Sequence, residues 1–449
     1  MGLGLFMCLG VAGCAASRPP AVSSAPVPPK QLEAFDQGMK AYEERDYGKA
    51  VRQFQAVILR FPGSPLLEEA QWMIGKSYES ANDFERALKE YQSFNINFPK
   101  SAHRYEAALR IGFLEDVLQR QRGKRSFQRY VGIILSDDPE KAVGRLEKAF
   151  EDITIEGPRV VVIQGYGPDG VYFKTQQASV IRESVAGAVK AAHQHGYKVW
   201  VRIPIKHLPW FKVSGEERDL RYDPVRKRPV PTDALDFFNP STLARLEQFD
   251  LDLAATGMDG FVIDEDPLIG PWEGFSPAAQ AAFLLDFGER LEPDRLIPIT
   301  PSAGRTAPPP ELSGTPLFWK WTGWKNRQAL GHVAEVIKAV RTRYPAVDWI
   351  RIIPMSAVTQ PHVALARSGI DLLEEKTHGF DYFAIALSLD AGPDNPFVVL
   401  DRMMNLIGDP KRTMALIPMT QSHGAVSHLN DFQGAGFLFS DAEEGRKTP

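Results

Sequence analysis

The chain has 449 residues, 44% of them hydrophobic and 24% charged, with a formal net charge of -4 at pH 7. That length exceeds one ordinary domain and allows at least one large core, so two or three domains are expected, and the absence of a basic excess speaks against a nucleic-acid partner. The only two cysteines, Cys8 and Cys14, sit at the extreme N-terminus, which leaves the folded body neither a disulfide nor a cysteine metal site.

The first element is "GLGLFMCLGVAGC", Gly2 to Cys14, an uncharged apolar run that is too short to span a bilayer and ends in small residues. It resembles a bacterial lipoprotein signal, whose lipobox ends in cysteine, here Val11, Ala12, Gly13 and Cys14. The resemblance implies removal of residues 1–13 and acylation of Cys14, with each buried methylene contributing roughly 0.8 kcal/mol to anchoring. Ala15 after the cysteine implies the outer membrane, with the body at its periplasmic face. Residues 1–13 carry no Lys or Arg, so an upstream translation start and a buried apolar segment are the alternatives. Residues 14–30 then read as the lipidated cysteine and a Pro/Ser/Ala-rich flexible tether.

An internal repeat follows. "DYGKAVRQFQAVILRFPGSP" from Asp46 recurs as "DFERALKEYQSFNINFPKSA" from Asp83, with Asp46/Asp83, Ala50/Ala87, Phe61/Phe98 and Pro62/Pro99 all offset by 37 residues. Helical patterns at Phe35–Glu44 and Glu68–Ala81 precede the two copies, so the unit is helix, turn, helix. These residues look like tetratricopeptide repeats, which places an all-α repeat domain at 31–122, with Arg104–Arg122 as a capping helix. The repeats are expected either to dock a protein partner or to pack as a spacer on the next domain.

After a basic break at Arg120–Ser126 the pattern changes to apolar strands alternating with amphipathic helices. The strand candidates are 130–136, 159–166, 198–205, 260–266, 349–356, 382–389, 413–420 and 434–440. Eight strands with crossovers predict an α/β fold, a (β/α)8 TIM-like barrel over 127–441 followed by a tail at 442–449. A doubly wound open sheet is the alternative, because the closing helix before the last strand is weak.

In such a barrel the chemistry sits at the carboxyl ends of the strands. The fourth strand runs into "DEDPLIGPWEG", with Asp264, Glu265 and Asp266 in a row. Alternation puts Gly260, Val262, Asp264 and Asp266 on one face and Phe261, Ile263 and Glu265 on the other. The natural pair is Asp264 and Asp266, whose α-carbons lie roughly 6.6 Å apart along a strand. Each charge alters the other's pKa, which suits a general acid; an acidic strand end kept for solubility and capping is the plainer reading.

"RVVVIQGYGPDGVYFKT", "KVWVRIPI", "LDFFNPSTLARL", "MDGFVIDEDPLIGPWEGFSPAA", "FWKWTGWKNRQAL" and "FDYFAIAL" resemble, in order and spacing, the C-terminal barrel of bacterial poly-β-1,6-N-acetylglucosamine deacetylases, glycoside hydrolase family 153. The resemblance implies endo-hydrolysis of partially de-N-acetylated poly-β-1,6-glucosamine during export of a biofilm polysaccharide. Asp266 falls on a family carboxylate and Glu265 on another, conservatively changed, while Asp264 replaces a family histidine. The zinc-dependent deacetylase domain that accompanies this barrel is replaced by repeats, so no deacetylation, metal or cofactor is expected. The same stretch also resembles the family 18 chitinase signature at Asp259, Gly260 and Asp264, with Asp266 at the position of the acid and Val262 in place of an aspartate. There the substrate's acetamido group is the nucleophile. Asp266 is the acid candidate in either comparison, Asp264 the second carboxylate and Glu265 a weaker candidate.

Substrate-binding candidates near the mouth are Gln164 and Tyr166 after strand two, Arg202, His207 and Trp210 around strand three, Trp272 after strand four, Trp321, and Asp390 after strand six. Asp137 and Asp138 after strand one and Asp441 after strand eight are further polar residues there. Trp210 and Trp272 are expected to be exposed, where they would stack sugars and attract glucosammonium groups; the competing reading makes several tryptophans core. The expected partners are a cationic or partly deacetylated polysaccharide, a protein docked on the repeats and the membrane, with no nucleic acid. A non-catalytic glycan-binding export scaffold stands as the alternative to hydrolysis.

Overall fold

The computed structural model describes residues 27–123, 129–151, 153, 155–223, 226–264, 269–296, 314–387, 396–421 and 432–440. Cys14, Glu265, Asp266, Asp390 and Asp441 lie outside them.

Five helices open the described chain: α1 (Pro29–Glu43), α2 (Tyr47–Arg60), α3 (Leu67–Ser80), α4 (Phe84–Asn97) and α5 (Arg104–Gly123). Each packs on its sequence neighbours in a stack. The sequence repeat is a structural one. Asp46 and Asp83 cap α2 and α4 by accepting the N–H groups of Lys49 and Arg86 at 3.0 and 3.3 Å, satisfying donors the helix leaves open. Just before them Arg45 and Asn82 take left-handed φ values of 62° and 58° to make the tight turn. Ala50 and Ala87 are fully buried where paired helices meet. A further matched pair binds each repeat together: Gly38 lies against the ring of Phe54, and Gly75 against the ring of Tyr91. A Cβ there would sit 2.6 and 2.7 Å from ring carbons, so glycine is what lets the rings seat.

The second part is a closed barrel of eight parallel strands: β1 (Tyr130–Leu135), β2 (Arg159–Gln164), β3 (Lys198–Ile203), β4 (Gly260–Ile263), β5 (Asp348–Pro354), β6 (Tyr382–Ala386), β7 (Thr413–Pro418) and β8 (Gly436–Ser440). The strands are joined around the ring in chain order, and β8 pairs with β1 from Tyr130↔Gly436 to Ile134↔Ser440. That closure excludes the open sheet. All eight predicted strands are present; several end earlier than expected, and β4 ends at Ile263 rather than Asp266.

Alternate residues fill two cores. Tyr130, Ile134, Val160, Val162, Trp200 and Val262 pack inside the barrel, while Val161, Ile163, Val201, Phe261 and Ile263 face the surrounding helices. Trp200 needs room, and Gly260 beside it supplies that room, since a Cβ there would lie 2.7 Å from the indole. Gly132 does the same for Leu438. The outer layer includes α6 (Pro139–Gly144), α7 (Leu146–Glu151), α8 (Val185–Gln194), α9 (Pro240–Ala254), α10 (Pro277–Phe287) and the long α11 (Pro316–Arg343). Among the described residues no helix is long and apolar enough to cross a membrane.

The repeats are packed on the barrel. Helix α2 lies against α10, with Arg60 Nε donating to the carbonyl of Asp286 at 3.0 Å. Lys89 pairs with Glu374 at 2.6 Å, and Lys338 Nζ donates to the Ala81 carbonyl at 3.0 Å. The spacer reading therefore holds for this side of the repeats.

Replacing Gly75 by Ala sets a helix-propensity gain of about 1 kcal/mol against overpacking on a buried ring, which typically costs about 1 to 3 kcal/mol. Gly75→Ala should therefore lower stability by up to about 2 kcal/mol in denaturant unfolding. Gly112→Ala, where a Cβ meets nothing within 4 Å, should gain up to about 1 kcal/mol. A gain at both positions would mean the Tyr91 ring is free to move aside.

Candidate active site

The carboxyl ends of β2, β3 and β4 bring three predicted residues together. Gln164 closes the inward series Val160, Val162, Gln164, and Arg202 follows Trp200 inward on β3. Asp264 comes directly after β4, in step with Gly260 and Val262. Arg202 Nε donates to Asp264 Oδ1, and the Tyr166 hydroxyl donates to Asp264 Oδ2 at 3.4 Å. Both partners of the ion pair are shielded, the Arg202 side chain 15% and the Asp264 side chain 7% exposed. Tyr166 belongs to a short antiparallel hairpin, Tyr166–Gly167 with Gly170–Val171, that turns back just past β2. Among the described residues the buried Oε1 of Gln164 has no hydrogen-bond partner.

His207 lies beside a second, buried network. Lys206 Nζ, 1% exposed, donates to Asp219 Oδ2 at 2.7 Å and to Glu273 Oε2 at 3.0 Å. Asp219 also accepts the Gly274 N–H at 3.0 Å. Lys325 of α11 donates to the carbonyls of Gly270, Pro271 and Glu273 at 2.6, 3.2 and 2.9 Å. The network ties together the segment after β3, the hairpin of Arg218–Asp223 with Arg228–Leu235, the segment after β4, and α11. His207 sits between Asp233 Oδ1 at 3.5 Å and Glu273 Oε1 at 3.6 Å, and its Nε2 makes no hydrogen bond among the described residues.

Burial and charge set the titration of this network. Burial alone would raise Glu273, but Lys206 and His207 outweigh it and hold the carboxyl at about 2. Burial, reinforced by the Lys206 charge, lowers Lys325 to about 7. Burial raises Asp236 to about 6, the Asp219 charge adding to it against the Ser276 hydroxyl and the Phe238 N–H.

Three predicted residues take different places. Trp210 is not exposed: at 8% exposure it packs between Tyr166 and Phe249, with ring centroids 6.2 and 6.0 Å away. Trp321 is fully buried, because α11 begins at Pro316 and carries the aromatic cluster as a helix face against Phe275 and Phe283. Neither offers a face to a sugar. Trp272 is half-buried and packs near Tyr222 at 6.3 Å. Asp137 pairs with Arg145, and Asp138 caps α6 and pairs with Arg182, which is the solvated-loop role.

Lys206, Asp219, Glu273 and Lys325 were not legible as a site, although "IKHLPW" and "PWEG" contain two of them. A lysine directly after a buried strand is the one local signal, since an unpaired ammonium there would be costly. Among the described residues no group of three or more His, Cys, Asp or Glu side chains is placed to hold a metal ion.

Residues 28–129 match a family model described as "YfiO: Outer membrane lipoprotein". No curated protein matches the chain. Similar solved structures include a GH18 chitinase from Pseudoalteromonas aurantia at 10% identity and a TM-score of 0.38, covering 69% of this chain and 93% of that one. An alpha-amylase from Lactobacillus plantarum shares 12% identity at a TM-score of 0.38, covering 70% of this chain and 71% of that one. A family GH13_31 enzyme shares 10% at 0.41, covering 70% and 66%. Similarity of this degree says nothing of chemistry. The chain joins a repeat region of the outer-membrane-lipoprotein type to a TIM-like barrel.

Two outcomes follow from the network. Lys206→Met leaves Asp219 and Glu273 buried without their cation and should cost about 3 to 5 kcal/mol in denaturant unfolding; an unchanged midpoint would mean water already reaches these carboxylates. Asp236, raised to about 6 from an ordinary 3.8, contributes stability below about 3.8 that is lost as pH rises through about 6. Asp236→Asn, neutral throughout, should gain on the wild type across that window and run parallel to it above, as read from denaturation midpoints at each pH.

Proposed function

We propose that the protein is a lipid-anchored glycosidase, attached through Cys14 at the periplasmic face of the outer membrane. It hydrolyses a partially de-N-acetylated poly-β-1,6-N-acetylglucosamine-type exopolysaccharide during export. The observation that carries this reading is the Asp264–Arg202–Tyr166 cluster at the carboxyl ends of adjacent barrel strands. Both oxygens of Asp264 accept hydrogen bonds, so Asp264 acts as an orienting acceptor rather than a proton donor.

Proton delivery to the glycosidic oxygen then falls to Asp266, two residues further along the sequence, with Glu265 as the weaker candidate. Protonation of the leaving oxygen breaks the bond to the anomeric carbon, and water completes hydrolysis there, returning the proton. A polymer that keeps some acetamido groups also allows the substrate-assisted, chitinase-like route, in which Asp264 orients the amide. Gln164 Oε1, which has no hydrogen-bond partner among the described residues, accepts from a sugar hydroxyl or ammonium. His207 and Trp272, on the segments after β3 and β4, and Asp390, after β6, are proposed as further substrate contacts. No metal or cofactor takes part.

One observation favours a second reading, a non-catalytic export scaffold that holds glycan in the barrel and a protein on the repeats: Asp264 is already engaged by two donors.

Incubating the protein with partially deacetylated poly-β-1,6-glucosamine should yield shorter oligosaccharides. Asp266→Asn should reduce the rate by about 100-fold or more while leaving polymer binding intact, the range seen on losing a general acid. Polymer binding without cutting by the wild type would overturn the enzyme and leave the scaffold.

A further inference from the structure

The repeat stack stops half-way through a third unit. Helix α5 stands 37 residues after α3 as α3 stands after α1, and Gly112 continues the series Gly38, Gly75. In the first two units that glycine receives a ring from the unit's second helix, Phe54 or Tyr91. One helical turn earlier, Phe35 and Trp72 pack on the same rings with centroids 5.3 and 5.2 Å apart. Leu109 holds that position in α5, and a Cβ at Gly112 would meet nothing within 4 Å among the described residues. Tyr105, Leu109 and Phe113, spaced four residues apart on one helix face, are 75%, 56% and 51% exposed. The opposite face is spent, with Ala107 and Leu114 fully buried toward α4.

After α5 the chain enters β1 at Tyr130, and only six positions separate the two elements, against the 14 residues of α2 and of α4. We infer that the face of α5 centred on Gly112 is a vacant helix seat. It takes a partner protein's amphipathic helix of about four turns whose central aromatic residue drops onto Gly112. The occupant's chemistry is read from the two filled seats. The chain's own ring-bearing helices are already packed under Gly38 and Gly75, so a second copy has none to lend without unfolding. The inference rests on the docking role proposed for the repeats and names the face and the ligand.

The probe is a labelled peptide with the α4 sequence from Asp83 to Phe98, titrated with the purified full chain by fluorescence anisotropy. Saturable one-to-one binding is expected, weakened at least about tenfold by Gly112→Leu, which fills the seat, and equally by Tyr91→Ala in the peptide, a difference of about 1.4 kcal/mol. Gly112 is exposed, so the variant should keep the wild-type circular dichroism. No saturable binding, binding indifferent to both changes, or a wild-type dimer that Gly112→Leu makes monomeric would each overturn the seat. A photo-crosslinker that captures a partner from exposed Lys49 but not from Leu109 would remove the seat and leave docking to another face.

Discussion

A parallel strand in a closed barrel is buried on both faces, and the two-residue alternation of its side chains cannot slip without exchanging them. That constraint organises the second part of this protein. Val160 and Val162 place Gln164 inward, Trp200 places Arg202 inward, and Gly260 and Val262 place Asp264 inward. The core residues thus determine which polar residues reach the mouth. The glycines have their part in this, because Trp200 fits inside the barrel only beside the missing Cβ of Gly260.

The same economy of space runs through the repeats with a different period. A ring set onto a helix glycine brings two helices close enough for Ala50 and Ala87 to be fully buried. A 37-residue period carries the glycine from 38 to 75 to 112, but the ring only from 54 to 91. The helix that would supply the third ring is replaced by the start of the barrel. A repeat array cannot bury its last face from within, and here one side is covered by the barrel while α5 keeps an apolar face in solvent.

Much of the fold was legible because it rests on local pattern. Eight apolar runs, each long enough for a strand and separated by amphipathic stretches, leave few architectures, and alternation alone oriented Asp264 correctly. What was not legible depends on distant pairing. Lys206 meets Glu273 across 67 positions of sequence, and the one local mark, a lysine just past a buried strand, does not say which carboxylate it meets. Trp321 reads as a substrate-binding candidate as long as the start of the helix that carries it goes unrecognised. Thr315 and Pro316 mark its true start, with the Thr315 hydroxyl accepting the Phe318 N–H at 3.2 Å. Once that cap is recognised, Trp321 and Trp324 fall on a buried face.

Burying Lys206 with Asp219 and Glu273 contributes less to stability than a matched apolar cluster would, since each charge first loses its hydration. What the arrangement does supply is geometry. An apolar cluster tolerates sliding, whereas an ammonium between two carboxylates, one of which also accepts a backbone N–H from Gly274, accepts one relative placement of the segments after β3 and β4. Arg202 and Asp264 repeat this arrangement nearer the barrel axis. Two ion pairs therefore hold the same two strand ends, one at the axis and one in the loops above. Asp264 is held at both oxygens, by Arg202 and Tyr166, and in the proposed glycosidase that is the preorganisation a charged transition state needs.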